Sequence, residues 1–522
     1  MRVLIVTGRL AAGIVKRAAK RAEGCEAVDV YVADSDVATL IPVNELEKAV
    51  EHASRHGYDA VVIPGMHPAD ERLLASLSRR HGVKVFKGPD DASALPEALR
   101  RLCSEEPSLP PGSRIDAEPN PSRILEGLEP EKAYTLPCGM LLPVRPPPVM
   151  VWHEAFGEPP EKSPCHVQVL GLGEAHDWDY ARGRLKRMLD MYDCVGVDSP
   201  RPKVLVKAAR AGASILMSLH PGTKGVIDEL PRGVAVVLIP AEPGKIHRLA
   251  PAERVDVLRS MAEKARAHGL VPVADPVVAP PLRGLASSVE AYLEAAKRLR
   301  DTPLLAGLGN IYELMDADSH GVIALSMTLF AEIGVSVMLV SEESWKARRA
   351  AEEAMVAAAL ASASMKLSSY PKNMGVDLLA LKEKRPLTPY RPRQRGEVVN
   401  AWEVQAEPFR RDPAGDLYIY LEEGCINITR VRDGEVVETL RARSAEEAYR
   451  AAIARGMVSR LDHAAYLGKE LAYAEQSLML GRSYVQEVYG RIKHPWEVHG
   501  GPALSLLDAL RARRPRRSTR QP

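Results

Sequence analysis

The sequence predicts an α/β protein: a central (β/α)8 TIM barrel flanked by an N-terminal Rossmann-like α/β domain and a small C-terminal α+β domain. Three observations carry that prediction. Between residues 149 and 366, eight short apolar runs alternate with helical patterns, the count and spacing of a closed α/β barrel. Residues 1–102 hold four such runs, enough for one small parallel sheet. Past residue 400, polar–apolar alternation takes over, with Asp433-Gly434 as a hairpin turn and two helical stretches behind it. A doubly wound open sheet is the competing architecture for the middle of the chain.

In order, the first four strands are expected over 3–6, 27–32, 60–63 and 83–86, with helices such as 42–56 and 69–81 between them. Gly8 and Gly13 make no GxGxxG fingerprint, so this domain reads as a docking module rather than a nucleotide site. Residues 103–148 are rich in Pro, Ser and Glu and end in three prolines, the composition of a linker. The barrel domain spans 149–383, its strands expected over 149–153, 167–171, 194–198, 214–219, 234–239, 271–275, 304–307 and 335–340. Helices are expected over 203–211, 253–268, 287–300 and 342–365; the first crossover, near 157–165, carries prolines and looks irregular. A basic, proline-rich linker (384–396) leads to the C-terminal domain (397–500), with strands over 417–421, 425–431 and 435–440 and helices over 445–455 and 462–480. An Arg-rich tail (501–522) ends the chain and reads as a solvated segment.

Bulk composition narrows the function. Apolar residues make up 46% and charged residues 26% of the 522, the balance of a soluble globular protein. A net charge of +2 and 5% aromatics give no support to a nucleic-acid partner. No stretch approaches the roughly 18 apolar residues of a membrane span, and the opening MRVLIVTG reads as a first strand, not a signal peptide. The six cysteines (25, 103, 138, 165, 194 and 425) contain no CxxC pair. Neither a metal site nor a dense disulfide framework is expected, and the location read from this is a reducing cytoplasm.

In a barrel of this class the active site forms where strands end and βα loops begin. Polar residues gather at those positions while the strand bodies are apolar: His153-Glu154, Gly173-Glu174, Asp198-Ser199, Ser218-Leu219-His220, Glu242, Asp275-Pro276, Gly309-Asn310 and Ser341-Glu342. An Asp at a strand end can simply cap the next helix. Asp198, His220, Asp275 and Asn310 together form a more demanding set, suited to one small, flat, hydrogen-bonding ligand. A pterin fits: its amino-pyrimidinone edge presents two adjacent N–H donors to a carboxylate, and its carbonyl and ring nitrogens accept from Asn or His.

At these residues a resemblance appears. VGVDSPRPKVLVKAARAGASILMSL and VPVADPVVAPPL resemble the third-strand and Asp-Pro segments of dihydropteroate synthases, whose Asp residues bind the pterin; LLAGLGNIYEL is similar to the strand-seven segment of methyltetrahydrofolate–corrinoid methyltransferases, whose Asn touches the ring. The layout from Val6-Thr7-Gly8-Arg9-Leu10-Ala11 through GNIYELMDADSHGVIAL, KNMGVDLLALKEK and LDHAAYLGKELAYAEQSLMLGRSYVQE resembles archaeal dihydropteroate synthase-related proteins to about Glu487. That resemblance implies a reduced pterin as substrate or cofactor. Asp198, Asp275, Asn310 and His220 are the implied ligand contacts, with His220 and Asn310 as the implied catalytic groups, and no metal. A homodimer enters through the resemblance alone.

The departures matter. The first-strand loop reads WHEAFGEPPEK, no Lys follows strand seven, and LVSEESWKAR begins strand eight's loop with acids; Lys346 and Arg348 lie further on. Condensation on a pterin diphosphate needs positive charge at the leaving group. The alternatives are a methyl-tetrahydropterin-dependent methyltransferase, for which no corrinoid-binding DxHxxG segment is present, or a non-catalytic pterin-binding scaffold. In the C-terminal domain, Asp462-His463 reads as N-capping and packing, Glu470 and Glu475 as solvated or paired, and Tyr484 and Gln486 as residues able to reach a neighbouring ligand.

Overall fold

The structure is a computed structural model that describes residues 1–104, 109–115, 117, 119–158, 160–384, 399–405, 408, 410–487, 497–498 and 501–502. Most of the predicted 384–396 linker and of the 501–522 tail lies outside the described residues. The chain divides into two compact units, 1–386 and 387–522.

The first unit opens with strands β1 (Arg2–Thr7), β2 (Ala27–Val32), β3 (Ala60–Ile63) and β4 (Lys84–Lys87), parallel and in the order β2-β1-β3-β4. β1 and β3 are apolar on both faces because helices cover both sides of the sheet. Asp70 caps the helix Glu71–His81 by accepting from the Leu73 N–H at 2.8 Å, and Gly82 closes it in the left-handed conformation.

Residues 103–148 are not a loose linker. They carry the helix Pro121–Leu125 and a hairpin of β5 (Ala133–Thr135) and β6 (Leu141–Pro143). Leu136 and Leu142 from this hairpin are buried in the same apolar cluster as Met150, Val167, Ile215, Val271 and Val337, the first inward residues of the barrel strands. The hairpin therefore plugs the barrel at its N-terminal end. Composition missed this because a plug needs only a few apolar residues.

The barrel strands are β7 (Met150–Phe156), β8 (Val167–Gly171), β9 (Val195–Asp198), β10 (Ile215–Leu219), β11 (Ala235–Leu238), β12 (Val271–Ala274), β13 (Leu305–Gly307) and β14 (Val337–Ser341). All eight are parallel, in the order β12-β11-β10-β9-β8-β7-β14-β13. The ends of that row meet through a bridge between Ala274 and Leu304, with the Ala274 N–H donating to the Pro303 carbonyl at 2.9 Å. That contact closes the ring and removes the open-sheet alternative. As expected, the first crossover is irregular, and none of its described residues is helical. The last helix is shorter than expected, Ala350–Leu367: the stretch after β14 makes only a turn at Trp345–Ala347.

In the second unit, β15 (Asp416–Glu422), β16 (Cys425–Arg432) and β17 (Glu435–Ala442) form an antiparallel sheet. The β16–β17 turn has positive φ at Asp433 (52°) and Gly434 (85°), as a two-residue hairpin turn requires. Helices Ala445–Ala454 and Leu461–Met479 pack on one face through Ala448, Leu467 and Leu471.

Four of the six cysteines form two isolated pairs that the sequence reading did not foresee, though no dense framework. Cys25–Cys103 and Cys138–Cys194 are disulfides separated by 78 and 56 residues, while Cys165 and Cys425 are free. Long-range pairs leave no local spacing signature. No helix among the described residues is long and apolar enough to cross a membrane, and among them no group of three or more His, Cys, Asp or Glu is arranged to hold a metal ion.

Candidate ligand-binding site

Side chains alternate along a strand. On β7, Met150 and Trp152 fill the barrel interior, so Glu154 faces inward as well. The same count leads from Val167 and Val169 to Gly171, from Cys194 to Asp198, and from Val271 and Val273 to Asp275. It leads from Leu305 to Gly307 and from Val337 and Leu339 to Ser341. Because the strands are parallel, these residues form one layer at the C-terminal mouth.

Within that layer, three carboxyls stand among small residues. Gly171 lies between β7 and β9, paired with Phe156 on one side and Asp198 on the other. A Cβ at Gly171 would fall 2.6 Å from the Phe156 ring and 2.9 Å from Glu154 Oε1. The bare glycine lets the Glu154 carboxyl cross β8 and hydrogen bond with Asp198. Two carboxyls so close do not both ionise readily. Burial, reinforced by Asp198 and Glu343, pushes Glu154 well above the usual carboxylate range. Burial pushes Asp198 up to about 6, opposed by hydrogen bonds from Ser218, Glu154 and the Ser199 backbone. A hydrogen bond between two carboxyls requires that one of them carry a proton.

Ser218 reaches Asp198 because β10 is irregular. Its register shifts between Leu216 and Leu219, and Ser218 takes a φ of 70°, rare for a non-glycine residue. Its Oγ then donates to Asp198 Oδ2 at 3.1 Å.

Asp275 is gripped from behind. The Tyr292 hydroxyl (2.6 Å) and the Val277 N–H (2.7 Å) both donate to Oδ1, which leaves Oδ2 as the open acceptor. Val277 pays for that contact with a φ of 69°. Buried Arg254 donates to the Leu249 carbonyl at 3.2 Å and reaches the Pro276 carbonyl at 3.5 Å, bracing the loop. Burial pushes Asp275 up to about 6, the hydrogen bonds opposing and Asp198 adding.

The other two expected residues stand on the same rim but outside the inward layer. Asn310 begins three residues past Gly307, in the short helix Gly309–Tyr312; it is exposed, and its amide donates to the Val278 carbonyl at 2.9 Å. His220 caps the turn Pro221–Glu229: Nδ1 accepts from the Gly222 N–H at 3.2 Å, which leaves Nε2–H as its free donor. Partial burial lowers its pKa, favouring the neutral ring.

Glu154, Tyr292 and Ser218 were missing from the expected set. Glu154 could have been found by counting two residues on from Trp152. Tyr292 lies 17 residues beyond Asp275 on the helix Leu285–Arg298, and nothing local marks it. On the strand-eight side Lys346 pairs with Asp316 at 3.0 Å, and Arg348 lies over the Trp345 ring at 4.6 Å.

In the second unit, Asp412 is the organising acid. It accepts from the Ala414 N–H (2.9 Å), the Ser459 N–H (2.9 Å), the Arg460 N–H (3.1 Å), the Ser459 hydroxyl and His463 Nδ1 (2.9 Å). Against the opposing effect of burial, these bonds hold its carboxyl well below the usual range. His463 therefore anchors a helix, as its packing position suggested, but Asp462 does not cap it; Arg460 occupies the cap and pairs with Asp462 at 3.0 Å. Glu470 is buried rather than solvated and accepts from Tyr484 at 2.9 Å. Gln486 bonds the Leu417 carbonyl and the Ile419 N–H, so it extends the edge of β15.

The family model PterinBD-DUF4346 matches residues 411–487. That match bears out the family resemblance drawn from the sequence, and the matched residues include the LDHAAYLGKELAYAEQSLMLGRSYVQE segment on which it leaned most. An uncharacterized protein of Methanocaldococcus jannaschii is 28% identical over 530 residues, covering 93% of this chain and 98% of its own length. Two dihydropteroate synthase structures are similar at low identity. That of Yersinia pestis is 15% identical over 45% of this chain and 99% of its own, with a TM-score of 0.36. That of Thermus thermophilus is 20% identical over 44% and 96%, with a TM-score of 0.35. The closure of the barrel stands on its own hydrogen bonds, not on these likenesses.

Proposed function

We propose that the barrel mouth binds a reduced pterin, and that the protein is dihydropteroate synthase-like, working in folate or tetrahydromethanopterin metabolism of the archaeal type. The observation that carries this reading is the pair of inward acids, Asp198 and Asp275, at one mouth, the latter with an open Oδ2. A pterin supplies what they lack: adjacent N–H donors for a carboxylate, and acceptors for a protonated carboxyl. Charge-assisted bonds of this kind contribute roughly 1.5–3 kcal/mol each. Trp152 Nε1, buried one layer beneath Glu154 and without an acceptor among the described residues, is a further donor a ring carbonyl could meet. Asn310 and His220, on the rim, are the proposed contacts to the exposed side of the ring.

A methyl-tetrahydropterin-dependent methyltransferase is the second reading. It is favoured by the strand-eight rim, where Lys346 is already paired with Asp316 and so less available to a diphosphate. Calorimetric titration with dihydropterin, its diphosphate and a methyl-tetrahydropterin tests both. Saturable binding is expected, weakened about ten-fold or more in Asp198→Asn. Failure of all three ligands to bind would remove the reading.

A further inference from the structure

Between the loops that follow β8 and β9 lies a cavity of about 510 Å³, walled by Trp178, Arg201, Lys203 and Lys207, with Asp177 as its one carboxylate. That carboxylate is engaged: it caps the helix Trp178–Met191 by accepting from the Tyr180 N–H at 3.1 Å. No ion pair among the described residues involves Arg201, Lys203 or Lys207. Several cations elsewhere on the rim are paired: Lys245 with Glu242, Lys346 with Asp316, and Arg184 and Arg187 with Glu158.

The cavity is also ordered. Arg201 Nε donates to the Glu174 carbonyl at 2.7 Å, tying the two loops together and fixing its guanidinium. Lys207 Nζ lies 5.9 Å from the Trp178 ring centroid, a loose cation–π contact that holds it over the cavity. The helix Pro202–Arg210 begins here, so its positive dipole end adds to the same field. The chain leaves the mouth at Asp198 and enters this helix at Pro202, a step of no more than roughly 14 Å even if extended.

We propose that this cavity takes the anionic end of the mouth's ligand, a carboxylate or phosphate carried on a short tail. The proposal rests on the pterin reading for the identity of the ring, but not for the existence of the anion site. The ring would lie on Asp198 and Asp275. The tail would pass outward between the two loops, along the Trp178 face, to Lys203 and Lys207. A ligand of that form is selected by charge at both ends, donors toward the acids and an anion toward the lysines.

The test uses the full chain and four probes: tetrahydropterin without a tail, tetrahydrofolate, p-aminobenzoylglutamate and inorganic pyrophosphate. Tetrahydrofolate is expected to bind at least about ten-fold more tightly than the tailless ring. That advantage should shrink at high salt, because exposed charges are screened. In K203E/K207E, both on the exposed face of a surface helix, the advantage should vanish while tailless affinity is unchanged. Binding of p-aminobenzoylglutamate identifies a carboxylate tail, binding of pyrophosphate a phosphate group, and either should be lost in the variant. If no pterin binds but a tail probe does, and the variant abolishes it, the anion site stands and the pterin reading falls. If tetrahydrofolate gains nothing, or its gain survives K203E/K207E, the proposal is overturned.

Discussion

Asp275→Asn is expected to weaken reduced-pterin binding by roughly 1.5–3 kcal/mol while making the ligand-free protein more stable at pH 8. Both effects have one cause. Asp275 sits against apolar strand ends with a carboxyl pushed up to about 6 by burial. In the unfolded chain the group has its ordinary value of 3.8, so between those values the folded state binds more protons. Stability from this group is therefore full below about pH 4 and lost as pH rises through about 6. At pH 8 the folded protein holds an ionised carboxylate in a poor medium, at a cost of roughly 1–3 kcal/mol. Asn is the same shape, and its oxygen can still accept from Tyr292 and Val277, so the variant escapes that cost. Chemical denaturation at pH 8 should show the gain, and at pH 4 the two proteins should coincide. What the variant gives up is the charged Oδ2 acceptor, the feature the ligand needs. A variant less stable at pH 8 would mean that the Asp275 charge is compensated by a group other than Tyr292 and Val277.

Removing the disulfides is expected to cost roughly 2–4 kcal/mol each, since each closes a long loop in the unfolded chain. The separations are 78 residues for Cys25–Cys103 and 56 for Cys138–Cys194. They act on different bodies of the first unit. Cys25–Cys103 ties the edge of the N-terminal sheet to its last helix. Cys138–Cys194 ties the plugging hairpin to the foot of β9, beneath Asp198. C25S/C103S is therefore expected to lower stability without changing ligand affinity. C138S/C194S should lower both, because the hairpin supports the inward residues of the barrel floor. Thermal melts and ligand titrations of the two double variants check this. Melts that do not change when the proteins are reduced would show that neither bridge forms.

Most of the architecture was legible in the sequence because its signals are local. Strand–helix alternation marks βα units wherever it occurs, and β8, β2 and β3 fall on the residues where apolar runs placed them. Closure of the ring was not legible: it depends on Ala274 meeting Leu304, a relation no window of sequence contains. The plugging hairpin was hidden by its proline-rich surroundings. At the mouth, Asp198 and Asp275 were visible as acids ending apolar runs, and strand parity turns both inward. Asn310 and His220 shared that visibility, but Asn310 starts a new helix and His220 spends its Nδ1 on a cap. Glu154 was present as a strand end, yet its partnership with Asp198 depends on the missing side chain of Gly171, which becomes apparent only in the register of β8. Tyr292 was invisible because its role is set by a helix packing back onto a strand end.

The most direct test is a crystal structure of the full chain with a reduced pterin bound at neutral pH. The account predicts the ring in the C-terminal mouth of the barrel, its amino-pyrimidinone edge on Asp275 Oδ2 and its other polar edge within hydrogen-bond reach of Asp198. A ring bound elsewhere, or lying in the mouth with no contact to either acid, would contradict it.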